Sequence, residues 1–138
     1  MTYHMKIAWD PKLSVNLKEI DHQHQTFILI LEEVTDAAEM TGGKYPLLTA
    51  AINKLQGHVE YHFTTEEKFF ELFNYADAVP HAAEHRRQLE LVEDFRRRHY
   101  NGEDVAAALA KHMMAWLADH IEVMDRKYVQ CFKDHGIE

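Results

Sequence analysis

The chain has 138 residues, with 23 Asp plus Glu against 15 Lys plus Arg, for a formal net charge of −8 at pH 7. Its length suits one domain, and 46% hydrophobic residues with only five Gly and three Pro exclude a disordered chain and argue against a turn-rich all-β fold. The acidic balance excludes a nucleic-acid partner, which needs clustered Lys and Arg, and the one basic run, Arg96-Arg97-Arg98, is too short to reverse it.

In chain order, an N-terminal arm of about residues 1–16 comes first, with Asp10-Pro11 as its punctuation. Met1 to Lys6 lacks the apolar stretch of a signal peptide. Four segments without helix breakers follow, at about 17–40, 46–74, 80–99 and 104–134. Gly42-Gly43 with Pro46, then Pro80, then Asn101-Gly102 divide them. The first carries apolar or inward positions at Ile20, His24, Phe27, Leu31, Val34 and Ala38. The second steps by four and three through Leu48, Ile52, Leu55, Val59, His62, Glu66, Phe69 and Phe73, the seam of a helix in a bundle. The third runs His81, His85, Gln88 or Leu89, Val92, Phe95 and His99, with Pro80 suited to a first helical turn. The fourth runs Leu109, Met113 and Trp116 to His120, then resumes at Asp125, Tyr128 and Phe132. Four helices with short connections predict an all-α, up-down-up-down antiparallel four-helix bundle, one domain over 1–138. The longest apolar runs, Phe27 to Leu31 and Met113 to Ala118, fall far short of the ~20 residues of a membrane span. Cys131, the only cysteine, cannot form an internal disulfide and is read as a half-buried apolar side chain. A cytoplasmic protein is expected.

Histidine is the anomaly: eleven in 138 residues. His24, His62, Glu66, His81, His85 and His120 all occupy seam positions, where unpartnered ionisable groups would each cost several kcal/mol, against a whole-domain stability of about 5–15 kcal/mol. At about 1.5 Å rise per residue, all six fall within roughly 3–20 Å of the same bundle end. They can therefore meet in one layer, and a shared metal site satisfies them together. The pairs His62/Glu66 and His81/His85 are spaced i,i+4, so both members of each reach one point. His120 and Asp125 are five apart, about 140° on a regular helix. A π-type distortion within 120–125 would bring both to the core.

This pattern, His24, His62-x-x-x-Glu66, His81-x-x-x-His85 and His120-x-x-x-x-Asp125 on four successive helices, resembles the hemerythrin family, most nearly its stand-alone bacterial form. Trp9, Asn16, the run Ile20-Asp21-His22-Gln23-His24, His62-Phe63, Glu66-Glu67 and Trp116 belong to the same resemblance, which spans nearly the whole chain. Phe69-Phe70 and Tyr75-Ala76 depart from the usual Met and Tyr-Pro, away from the ligands. The resemblance implies a non-haem di-iron centre, oxo- or hydroxo-bridged, that binds dioxygen reversibly. It implies one iron on His81, His85 and His120, the other on His24 and His62, and bridging Glu66 and Asp125. The second iron is then one ligand short, which leaves a position for dioxygen. Imidazole and carboxylate donors suit manganese as well as iron; iron is implied by the resemblance.

By position, Phe27, Phe63, Trp116, Leu117 and Ile121 are candidates for an apolar dioxygen pocket, with ordinary core packing as the alternative. Tyr128 is a candidate hydrogen-bond donor to a ligand carboxylate. Glu67 points about 100° from Glu66, toward solvent or behind a ligand. Asp21 and His22 belong to a helix start. His4, His22, His58, His99, His112 and His135 are expected to be bystanders. The functions consistent with the pattern are an oxygen carrier, store or local supplier, with an unidentified oxygen-accepting protein as a further partner. A sensor acting through a surface partner, a peroxide- or nitric oxide-reducing enzyme, and an iron store or structural metal bundle are the alternatives.

Overall fold

The computed structural model describes residues 8–41 and 46–138; His4 and the Gly42-Gly43 loop lie outside the described residues. Four long helical segments account for the fold: α1 (Lys18–Thr41), α2 (Leu47–Leu72), α3 (Ala78–Tyr100), and a last segment of α4 (Ala106–His120), a π-helical turn (Ile121–Asp125) and α5 (Arg126–Asp134). They form the all-α four-helix bundle expected from the periodicity. Helix α1 packs on α2 and α4, and α2 packs on α3. Between α3 and α4 the links are long side chains, including Trp116 to Glu84 and His112 to Gln88.

The helix ends follow from local chemistry. Asn74, Gly102 and Gly136 have φ of 50°, 93° and 88°. In each case the next amide reaches back to a carbonyl five residues earlier: Tyr75 to Phe70, Glu103 to Arg98, and Ile137 to Phe132. A left-handed residue just past a helix end satisfies orphan carbonyls in this way. Arg97, Arg98 and His99 fill the last turn of α3, where cations complement the helix dipole. The only basic run is thus a helix-end feature. Pro80 lies in the first turn of α3, where a missing N–H costs nothing.

The arm is tied to the bundle at its base. Asp10 caps a 3-10 turn, Pro11–Leu13, and Asn16 turns the chain with φ 57°. The Asp21 carboxylate accepts from the Ser14 hydroxyl and, at 2.8 Å, from the Val15 amide. Arg126 donates to the carbonyls of Lys12 and Ser14. Asp21 therefore belongs to the helix start, as its position suggests.

Inside, the bundle is layered. An aliphatic layer of Leu48, Ile52, Leu55, Val92, Leu109 and Met113 is fully or almost fully buried. At the opposite end Phe132 gathers Phe69, Phe70, Phe73 and Tyr128 at ring separations of 4.2–6.0 Å. On α2 the buried position after Glu66 is Phe70, while Phe69 and Phe73 are half-buried. Two steps of four from His62 drift the seam across the helix face, and Phe70 uses that drift to pack on His81.

Asn74 tests the backbone logic, since only Gly adopts a left-handed φ without steric cost. Asn74→Gly should leave stability unchanged or raise it slightly, whereas Asn74→Val should lower it by about 1–2 kcal/mol. Denaturant unfolding of the two variants checks this.

Candidate metal centre

The bundle brings all seven predicted residues to one place. His24 comes from α1, His62 and Glu66 from α2, His81 and His85 from α3, and His120 and Asp125 from the two ends of the π turn. All seven are buried, with Glu66 and Asp125 fully so. The π turn is what admits Asp125. It takes up the extra residue, so that His120, Ile121 and Asp125 are buried while Glu122 and Val123 face solvent.

Asp125 sits at the centre. Its Oδ1 lies 3.0 Å from Nε2 of His81 and 3.1 Å from Nε2 of His120, and its Oδ2 lies 3.2 Å from Nε2 of His24. Glu66 Oε1 lies 3.3 Å from Nε2 of His62 and 3.2 Å from Nε2 of His85. The Nε2 atoms of His81 and His120 are 2.9 Å apart. Two groups of donors emerge, each compact enough for one ion: Glu66, His81, His85 and His120, and His24, His62, Glu66 and Asp125. Glu66 belongs to both, and Asp125 also touches His81 and His120 of the first.

The contacts of the two carboxylates are close without being hydrogen bonds. Both oxygens of Glu66, both of Asp125, and Nε2 of His24 and of His85 have no hydrogen-bond partner despite complete burial. Unpaired buried polar atoms are costly, and here their lone pairs converge. Distance gives a second test. Two donors about 2.1 Å from one ion stand roughly 3.0 Å apart at right angles and roughly 3.4 Å apart in a tetrahedron. The mutual separations of His81, His120 and Asp125, 2.9–3.1 Å, match the right-angled arrangement of six-coordinate metals. The donor set fits a pair of ions sharing two carboxylates.

Charge is distributed accordingly. Burial pushes the Asp125 carboxyl up in pKa, but His120, His24 and His81 around it hold it well below the usual range. Burial and Asp125 likewise oppose ionisation of Glu66, and His62 and His85 keep it ionised. Burial depresses His62 to about 3, against the pull of Glu66. His85 is also opposed by burial, yet Glu66 and Glu67 raise it to about 9.

The surrounding side chains hold these rings. Nδ1 of His85 meets the Glu67 carboxylate at 2.9 Å, and Nδ1 of His62 meets Oε1 of Gln23 at 2.7 Å. Glu67 thus stands behind a donor, one of the two placements open to it from sequence. Gln23 carries no metal-ligand signal, and its only trace in the sequence is its place beside His24. Phe63 stacks on His85 at 3.9 Å and Trp116 on His120 at 4.4 Å. The Trp116 indole donates to Glu84 at 3.0 Å. Phe27, Leu117 and Ile121 are buried in the core, with Phe27 edge-on to His58. Tyr128 is fully buried, parallel to His81 at 5.7 Å. Burial, Asp125 and Glu66 raise its pKa well above the ordinary value, and its hydroxyl makes no hydrogen bond.

The other described histidines have separate surroundings. His58 contacts the Gln23 carbonyl at 2.8 Å, His99 the Thr49 hydroxyl at 2.7 Å, and His112 the Gln88 amide at 3.1 Å. His22 is exposed, and His135 lies on Phe73 with its Nδ1 on the Cys131 carbonyl. Cys131 is itself only partly buried.

A family model described as the hemerythrin HHE cation binding domain matches residues 15–132. Bacteriohemerythrin of Ralstonia nicotianae is 29% identical over 131 residues, 94% of this chain and 91% of that protein. Bacteriohemerythrin of Pseudomonas aeruginosa is 27% identical over 127 residues, 92% of this chain and 82% of that protein. A crystal structure of wild-type hemerythrin superposes with a TM-score of 0.84, covering 92% of this chain and 98% of that one at 24% identity, a likeness of fold. The chain belongs to the hemerythrin family, and with it to the di-iron, dioxygen-binding proteins. No helix among the described residues is long and apolar enough to cross a membrane.

The two classes of histidine are separable by metal content. His120→Ala should lose bound iron, because it removes a donor 3.1 Å from Asp125. His112→Ala should retain the wild-type complement of two irons per chain, as elemental analysis of the purified variants would show.

Proposed function

We propose that this chain is a reversible dioxygen carrier, store or local supplier, acting in the cytoplasm as one domain over its whole length. It is not an enzyme, and it hands dioxygen to an accepting protein rather than to nucleic acid. In this reading His81, His85 and His120 hold one iron, His24 and His62 hold the other, and Glu66 and Asp125 bridge them. The observation that carries it is the unequal division of imidazoles about a shared carboxylate pair, with three on one side and two on the other. The three-histidine side would offer its ion five protein donors and the two-histidine side four, so the second ion would be the one with room for dioxygen. When bound, the iron pair supplies the reversible electron transfer that holds dioxygen.

The protein's own residues protect that position. Phe27, Leu117 and Ile121 are at most 1% exposed, so water and protons that promote irreversible oxidation are kept out. Phe63 and Trp116 stack on His85 and His120 and so brace the rings of the three-histidine side. Tyr128 keeps its proton under burial beside Asp125 and Glu66, which suits a donor to the bridging carboxylates. As metal ligands, five imidazoles would bring less negative charge than the Glu-rich sites of ferritin-like bundles, which favours release of dioxygen over its activation.

Cycling the iron-loaded protein tests the reading. Anaerobic reduction, admission of air and removal of air should produce a charge-transfer colour that appears and fades over repeated cycles. One-way oxidation on the first exposure would overturn the carrier function in favour of a sensor or a peroxide- or nitric oxide-reducing enzyme.

A further inference from the structure

The rings on the two sides of the cluster are backed by partners of different charge. His85 is backed by the Glu67 carboxylate, whose side chain is 41% exposed, and His62 by the Gln23 amide, which is 3% exposed. Glu67 offers only acceptor oxygens, so Nδ1 of His85 must carry a hydrogen, and Nε2 is the nitrogen left to give its lone pair to a metal. Gln23 could in principle be turned either way, but its neighbours fix it. The Thr65 hydroxyl donates to the Tyr61 carbonyl at 2.9 Å, so its oxygen can only accept from Gln23 Nε2, at 3.3 Å. The Glu19 carboxylate, 3.4 Å from the same Nε2, is a second acceptor. The amide nitrogen is therefore committed to Thr65 and Glu19, and its oxygen faces His62. Nδ1 of His62 must donate, and its Nε2 is likewise left for a metal.

The two rings thus share a tautomer and differ in what accepts their hydrogen. A carboxylate draws the Nδ1 proton more strongly than an amide and makes the ring a richer electron donor. Hydrogen bonding behind the ligands is among the levers that set an iron site's reduction potential.

We infer that Gln23 and Glu67 are positioning residues that make the two irons electronically unequal: Glu67 favours the oxidised state at the three-histidine iron, and Gln23 leaves the two-histidine iron easier to keep reduced. This rests on the ligand assignment proposed above. The position of Gln23 also excludes the alternative charge. A carboxylate there would face Glu19 at 3.4 Å and an accepting Thr65 oxygen, two contacts that only an N–H donor satisfies.

Two shape-conserving variants separate the roles. Glu67→Gln keeps an acceptor behind His85 and removes its charge. It should move the oxidised-to-reduced ratio of the iron-loaded protein about tenfold toward reduced at a fixed potential, roughly 59 mV for a one-electron step. An unchanged or lowered midpoint in spectroelectrochemical titration would overturn the inference. Gln23→Leu removes the acceptor behind His62. In the diamagnetic zinc-loaded protein, 15N-edited NMR should show exchange-protected Nδ1–H resonances for both His62 and His85, and Gln23→Leu should abolish only the first. Wild-type protein lacking the His62 resonance, or Gln23→Leu retaining it, would overturn the part played by Gln23. The zinc readout is independent of oxygen chemistry, so it can hold even where reversible oxygenation fails. Failure of the wild type to take up either metal would overturn this inference together with the ligand assignment.

Discussion

The convergence of seven buried ionisable side chains on one layer is the constraint to which the rest of the structure answers. Oxygens and ring nitrogens stand 3.0–3.3 Å apart without hydrogen bonds, an arrangement that only cations between them would make favourable. An isolated carboxylate moved into such surroundings would take up a proton instead. Here the imidazoles keep both Glu66 and Asp125 ionised. Five rings and two carboxylates also form a set that no subset can satisfy. Removing one member leaves its neighbours buried and unpaired, the costly asymmetry of polar networks.

Other parts of the bundle are shaped around that layer. Because the site contributes little apolar burial, cohesion comes from above and below it. The aliphatic layer of α2, α3 and α4 lies on one side and the aromatic group about Phe132 on the other. The π turn sacrifices regular helix bonding to turn Asp125 inward, in keeping with the tendency of such turns to sit at functional positions. The remaining buried or half-buried histidines differ from the seven in one respect. His58, His99 and His112 meet polar groups outside the carboxylate pair, on Gln23, Thr49 and Gln88. Burial of histidine is therefore not what distinguishes the site; shared partners are.

Much of this was legible in the sequence because a helix repeats every 3.6 residues. Spacing alone put His62 with Glu66 and His81 with His85, and the five-residue step from His120 to Asp125 exposed the π turn as a break in an otherwise regular seam. The roles of Gln23 and Glu67 were harder to read. Each reaches a ring on another helix, so its role depends on how the helices are rotated against each other, and spacing within one helix carries no such information. The same limit applies to Phe63, which stacks on His85 of α3, and to Phe70, which packs on His81 of α3. Residues that bind through one helix were readable, and residues that act between helices were not.

The count of donors per helix bears on where dioxygen would enter the proposed site. Helix α2 contributes a histidine and a glutamate one turn apart, α3 two histidines one turn apart, and the last segment a histidine and an aspartate across the π turn. Helix α1 contributes His24 alone. One turn before and after it stand Ile20 and Ile28, at 0% and 2% exposure, with Phe27 beside them. Any donor at either position would lie on the face of His24 and could complete the two-histidine ion. Isoleucine cannot. In the proposed assignment α1 would thus leave the two-histidine ion one ligand short, and the side chains that withhold that ligand would give the open position an apolar wall, suited to a small, uncharged molecule such as dioxygen.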